Sequence, residues 1–181
     1  MALRLPRIPL ALAALTGATL CIAPSRDAHA TARQLHGGPA VGASWTSGPR
    51  GGVDGVLALH GAWDFTDAWR VYANLQYGLG GGVDSQNTPR HELSFSTGVV
   101  YMIDVLSVLP WVGLGVNATG IFTPTYTGFA PALEARGGVD YLVSRYFGLT
   151  FQLSYSFVIW NREAVGDLLS GLVGLRWTVD L

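Results

Sequence analysis

Lysine is missing from this chain altogether; all eleven basic residues are arginine. Charged residues supply only 13% of the sequence against 49% hydrophobic ones, a poor composition for a large wetted surface. Cysteine is nearly absent too. The single Cys21 lies in the N-terminal leader-like segment, so residues 31–181 have neither disulfide nor thiol chemistry to draw on. Cys21 does not fit a lipidation site either, because Leu20 and Ala18 stand where a small residue and leucine are needed. Nor does any run of about 18 apolar residues occur, which excludes a membrane-spanning helix. An apolar chain with no helical span can still cross lipid, but only as a closed sheet that satisfies its own backbone.

Residues 1–30 read as an export signal. Arg4 and Arg7 form a positive start, Ile8 to Ala23 an apolar middle, and Ala28-His29-Ala30 a small-residue cleavage pattern. The remaining 31–181 form one domain carrying eight arginines and eleven acids, a net charge of −3. That balance argues against nucleic acid as a partner.

What the chain does have is alternation. From Phe147 to Trp160, Phe147, Leu149, Phe151, Leu153, Tyr155, Phe157 and Ile159 share one parity, while Gly148, Thr150, Gln152, Ser154 and Ser156 hold the other. A period of two makes a strand with chemically different sides. The same pattern predicts eight strands: Pro39 to Ser47, Gly52 to Asp64, Trp69 to Gly80, Glu92 to Asp104, Leu109 to Phe122, Ala132 to Val143, Phe147 to Trp160 and Asp167 to Leu181. Links after even-numbered strands are short. Most of the others are longer, including Gly81 to His91 and Thr123 to Pro131. Alternating short and long links, with segments near the ~9–11 residues of a tilted spanning strand, describe an all-β, eight-stranded antiparallel up-and-down transmembrane β-barrel.

The two faces decide which side meets lipid. One is rich in Leu, Val and aromatics; the other is mostly Gly, Ser, Thr, Asn, Gln and Ala, small enough for the crowded interior of eight strands. Aromatics gather at the segment ends. Trp63, Trp69, Tyr101, Tyr141, Phe147 and Trp177 fall toward one interface, and Trp45, Tyr77, Phe95, Phe157 and Trp160 toward the other, as two belts. A soluble eight-stranded ligand binder would need the reverse arrangement.

The polar face then encloses Asp54, Asp64, Arg70, Glu92, Asp104, Glu134, Arg136, Asp140, Arg176 and Asp180. Enclosed charges must be paired or hydrated. The expectation is an internal ion-pair network built from Asp64, Arg70, Glu92, Glu134, Arg136, Asp140 and Arg176, with the three arginines as its cations. Its plain role is to keep the barrel filled and in register; a sharper one is a narrow path for ions or small solutes. Catalysis is also considered. His60 and Asp64 share the inner face of the second strand, and Ser94 and Ser96 that of the fourth. A histidine facing a packed lumen is turned away from any lipid substrate, and His36 is read as lying before the first strand, so no catalytic site and no enzyme activity is expected. The four histidines have no metal-ligand spacing, and neither a P-loop nor a dinucleotide fingerprint occurs, so no metal or cofactor is expected.

By its strand layout, by Gly137-Gly138-Val139-Asp140-Tyr141 leading through a short turn into Gly148-Leu149-Thr150-Phe151, and by its terminal strand, the chain resembles the small eight-stranded outer-membrane barrels of the OmpA/OmpW/opacity-type group. The resemblance covers roughly Gly37 to Leu181. It implies an OmpA-like, porin-like protein of the Gram-negative outer membrane, with both termini in the periplasm and no peptidoglycan-binding domain. Outer-membrane lipid, lipopolysaccharide and the barrel-assembly machinery, the last through the C-terminal strand, are its implied partners. A surface partner would be met by loops 81–91 and 123–131. Leu181 departs from the aromatic that usually ends such chains.

Overall fold

The computed structural model describes residues 33–47, 51–81, 89–103, 107–124 and 126–180. The leader-like segment 1–30 and Asp104 lie outside these. Eight antiparallel strands, each paired with the next, close into one barrel when β8 pairs with β1. They are β1 (Gln34–Thr46), β2 (Gly52–Asp64), β3 (Trp69–Gly81), β4 (Pro89–Met102), β5 (Val108–Thr123), β6 (Tyr126–Leu142), β7 (Phe147–Val158) and β8 (Leu168–Asp180). One helical turn, α1 (Arg162–Val165), interrupts the β7–β8 link.

The register fixes the barrel's shape. Following paired residues once round the wall from Gln34 leads through Asp64, Arg70, Val100, Gly113, Arg136, Ser154 and Ser170 to Ser44. The path returns to β1 ten residues further along, a shear of 10 for eight strands. With strand spacings of ~4.8 Å and ~3.3 Å per residue, the strands tilt by about 40° and the wall has a radius of about 8 Å. Every residue on that path faces inward, so the alternation is unbroken around the circumference.

Tilt converts sequence position into height, at about 2.5 Å per residue along a strand and about 3 Å per step to the next strand. On this scale Trp63, Trp69, Tyr101, Tyr141, Phe147 and Trp177 form a belt within about 7 Å of the end where β1 begins and β8 ends, called the terminal end below. Trp45, Tyr77, Phe95, Tyr155 and Phe157 form a second belt about 20 Å further along, and exposed aliphatic residues such as Leu59, Leu114, Val116 and Val173 lie on the outer wall between or beside the two. The spacing agrees with the ~25 Å apolar band of membrane barrels.

The turns at the terminal end are tight because side chains cap them. Thr66 Oγ1 accepts from the amides of Ala68 and Trp69 at 3.3 and 3.0 Å, and Ser144 Oγ from that of Phe147 at 3.1 Å. Most boundaries shift by one or two residues from the sequence reading, and four of the shifts matter here. β1 begins at Gln34, because both neighbours pair with it past Pro39; only the β1–β8 ladder skips Gly38–Pro39, where proline offers no N–H. β4 begins at Pro89, which removes Arg90 and His91 from the preceding loop. β6 begins at Tyr126, so 123–131 is mostly paired strand rather than open loop. β7 ends at Val158, leaving Trp160 beyond it and 75% exposed.

Candidate functional site: the polar lumen

Three charged clusters occupy the interior at successive heights. Nearest the termini, Arg70 Nε donates to Asp64 Oδ1 at 2.5 Å and its Nη1 to Asp140 Oδ2 at 2.8 Å. Arg176 Nη1 reaches the same Asp140 oxygen at 2.7 Å. Asp140 Oδ1 accepts from Thr150 at 2.7 Å and from the Trp111 indole at 3.2 Å. His36 joins this layer, with Nε2 2.5 Å from Asp64 Oδ2 and Nδ1 3.0 Å from Thr178 Oγ1. The Arg176 guanidinium lies 3.0–3.3 Å from both ring nitrogens of His36. Five strands thus contribute charges or the imidazole to one plane.

Higher up, Arg136 pairs with Glu134, Nε to Oε1 at 2.8 Å, and its guanidinium carbon sits 3.9 Å from the centre of the Tyr72 ring. Tyr72 in turn donates to Glu134 Oε1 at 3.0 Å. Asn117 and Ser156 donate to Glu134 Oε2 at 3.2 and 3.3 Å. Glu134 is therefore enclosed by donors from β3, β5, β6 and β7. Near the distal end Arg90 lies 3.2 Å from Asp54 and 2.9 Å from Glu92, and donates to Thr46 at 2.6 Å.

These clusters need room, which glycines on the inner face supply. A Cβ at Gly138 would collide with the Trp111 indole, and one at Gly115 with the Tyr72 hydroxyl. Bulky aromatics on the polar parity are thus seated over glycine, Trp111 on the adjacent strand and Tyr72 two strands away.

Of the residues named from sequence, Asp64, Arg70, Asp140 and Arg176 meet in one layer, Glu134 and Arg136 in a second, and Glu92 in a third. Asp180 is a correction: it is exposed at the terminal rim, paired with the half-exposed Arg145 at 2.6 Å. β8 runs past the end of the enclosed lumen there. Two charged or ionisable participants were assigned elsewhere by the sequence reading. His36 is inside because β1 is longer than its Gly-Gly-Pro stretch suggested, and Arg90 because Pro89 starts a strand. In both cases continuing the parity outward from the firm part of the strand puts the side chain in the lumen. The serine–histidine–acid idea finds no geometry. Asp64 is taken by His36 and Arg70, Ser94 donates to Asn117, Ser96 accepts from Arg136, and none of the three bonds to His60.

Outside the lumen, Asp167 fastens the β7–β8 link. Its carboxylate accepts from Arg162 at 2.6 Å, Tyr155 at 2.9 Å and the Val158 amide at 3.2 Å. Its own backbone bonds twice with Ser47. Burial pushes the carboxyl up, but these donors outweigh it and hold Asp167 below its ordinary range. The same link places Val165 of α1 over the distal mouth, packed with Ile121, Ala130, Ala132 and Val158.

No protein-family model matches the chain. No curated protein matches it in sequence either. Solved structures do. Neisserial surface protein A (NspA) aligns with a TM-score of 0.59 and 15% identity over 82% of this chain and 96% of that one. The outer membrane protein OprG from Pseudomonas aeruginosa gives 0.58 and 16%, over 85% and 99%. The N-terminal β-barrel domain of Pseudomonas aeruginosa OprF gives 0.56 and 15%, over 83% and 100%. With eight closed antiparallel strands, an apolar exterior between two aromatic belts and a charged interior, this chain has the fold of the small eight-stranded outer-membrane β-barrels.

Proposed function

We propose that the protein is an integral outer-membrane barrel without enzymatic activity, whose side-chain-filled lumen serves rigidity and whose distal end serves surface contact. The observation that carries this reading is the stack of three charge clusters across the bore. Each is cross-linked between strands, and a radius of about 8 Å leaves little room beyond the side chains themselves. Such a core holds register and contributes to the mechanical integrity of the envelope. The termini are assigned to the periplasm, because the capped four-residue turns lie at their end. Surface contact is assigned to the distal segments around 81–91 and 123–131. The second is a paired hairpin whose Phe122 and Phe129 stand exposed about 10 Å above the distal belt. Lipid, lipopolysaccharide and the barrel-assembly machinery remain the proposed partners of the wall and the terminal strand. Conductance of the refolded protein in planar bilayers tests the reading. Silent membranes are expected; sustained unitary currents from the wild type would overturn it.

A second reading, a narrow ion path, draws on one feature. Asp140 is shared by two arginines, so partner exchange within that layer is possible without stripping any charge bare. In that case Asp140→Asn should change unitary current rather than only stability.

A further inference from the structure

Between the terminal charge layer and the Arg136 cluster the lumen holds a cavity of about 30 Å³. One water needs ~10–15 Å³ on this measure, so the space suits two waters or one monatomic ion with a water. Most of its wall is apolar, and the charged groups on it are chiefly donors. The guanidiniums of Arg70, Arg136 and Arg176 border it, each with five N–H groups. The bordering carboxylate, Asp140, already has both oxygens engaged, by Thr150 and Trp111 on one and by the two arginines on the other. The Tyr72 hydroxyl is committed to Glu134. On β7, between the strands that carry Arg136 and Arg176, Gln152 is 5% exposed and its Nε2 has no protein hydrogen-bond partner among the described residues; His60 Nδ1, a donor or an acceptor according to its tautomer, has none either. A buried amide donor left unmade is costly, so the wall calls for a ligand that only accepts.

We propose that this cavity is a binding site for a small monovalent anion of halide size, held by the Gln152 amide and the surrounding guanidiniums. A halide accepts hydrogen bonds from every direction and fits the volume, whereas phosphate or sulfate does not. A metal cation is disfavoured by three guanidiniums. The three arginines are matched by Asp64, Glu134 and Asp140, so binding is weak and reversible rather than tight.

The test uses the refolded full barrel in detergent and bromide as the probe. Crystals grown in sodium bromide should show an anomalous peak within hydrogen-bond reach of Gln152 Nε2. In solution, replacing sodium gluconate by sodium bromide at constant ionic strength should raise the unfolding temperature of the wild type and leave Gln152→Leu unmoved. Water alone in the cavity of bromide-grown crystals overturns the proposal. So does an equal bromide response in wild type and variant, which would place the anion on the surface. If Gln152→Leu fails to refold, Gln152→Glu takes its place, since a carboxylate there repels the anion at equal volume; a bromide response undiminished in it likewise overturns the proposal.

Discussion

A single oxygen, Oδ2 of Asp140, accepts from both Arg70 and Arg176, at 2.8 and 2.7 Å. Two cations from β3 and β8 are thereby neutralised in part by one carboxylate on β6, with Asp64 completing the balance for Arg70. Asp140→Asn leaves two buried guanidiniums short of a counter-charge. Removal of one partner from a buried pair costs about 3–5 kcal/mol. Urea unfolding of the refolded variant in lipid vesicles should show a loss of that order, and an unchanged midpoint would mean the layer contributes nothing to stability.

Arg136→Leu strands Glu134 among neutral donors and removes the cation above the Tyr72 ring. Heat-modifiability on gels should fall to a lower temperature. Glu134→Gln combined with Arg136→Leu should be milder than the two single losses added together, because the pair is then removed as a unit. Strict additivity would argue that the two side chains do not interact.

The height scale distinguishes positions on the outer wall that burial alone does not. Leu114 and Val53 are 72% and 66% exposed, yet Leu114 lies midway between the aromatic belts and Val53 beyond the distal one. Arginine at a membrane midplane costs ~2–4 kcal/mol, and ~0–1 near an interface. Leu114→Arg should therefore destabilise the barrel in vesicles much more than Val53→Arg. Equal costs would contradict the derived tilt and membrane placement.

Acid should release the β7–β8 link. The Asp167 carboxyl is held below its ordinary value, so its contribution is complete above pH ~4 and is lost as pH falls through the lowered folded-state value. Protease cleavage near Trp160 should rise over that acid window in the wild type. In Asp167→Asn it should be elevated already at neutral pH and vary little with acid. A wild-type profile flat down to pH 2 would exclude the clasp.

Much of this molecule is legible in its sequence because a barrel strand states its two environments residue by residue. Lipid tolerates Leu57, Phe151 or Val173, and the lumen demands Ser154 or Asn117, so parity alone assigns the faces. Strand ends are less legible. The stretch Gly37-Gly38-Pro39 reads as a turn, and only pairing with β2 and β8 keeps it extended. The same blindness hid Arg90 behind Pro89. Which charges meet was harder still, since Arg70 and Asp140 are seventy residues apart and come together only through the shear. The tetrapeptide Gly-Gly-Val-Asp occurs three times, at 51–54, 81–84 and 137–140; the first and last copies end on enclosed carboxylates, Asp54 and Asp140, and Asp84 of the other lies outside the described residues.

The layer formed by His36, Asp64, Arg70, Asp140 and Arg176 takes members from the first, second, third, sixth and last strands. A partly assembled sheet gathers only fragments of it, and those fragments would face either water or hydrocarbon. Arg70–Asp64 and His36–Asp64 lie on adjacent strands, but Arg70–Asp140 spans the bore and His36–Arg176 spans the β1–β8 seam, so the ring is complete only once the chain's two edges zip together. An unfinished wall therefore lacks the contacts that cross the bore and the seam, and only the closed one encloses its full set of opposite charges.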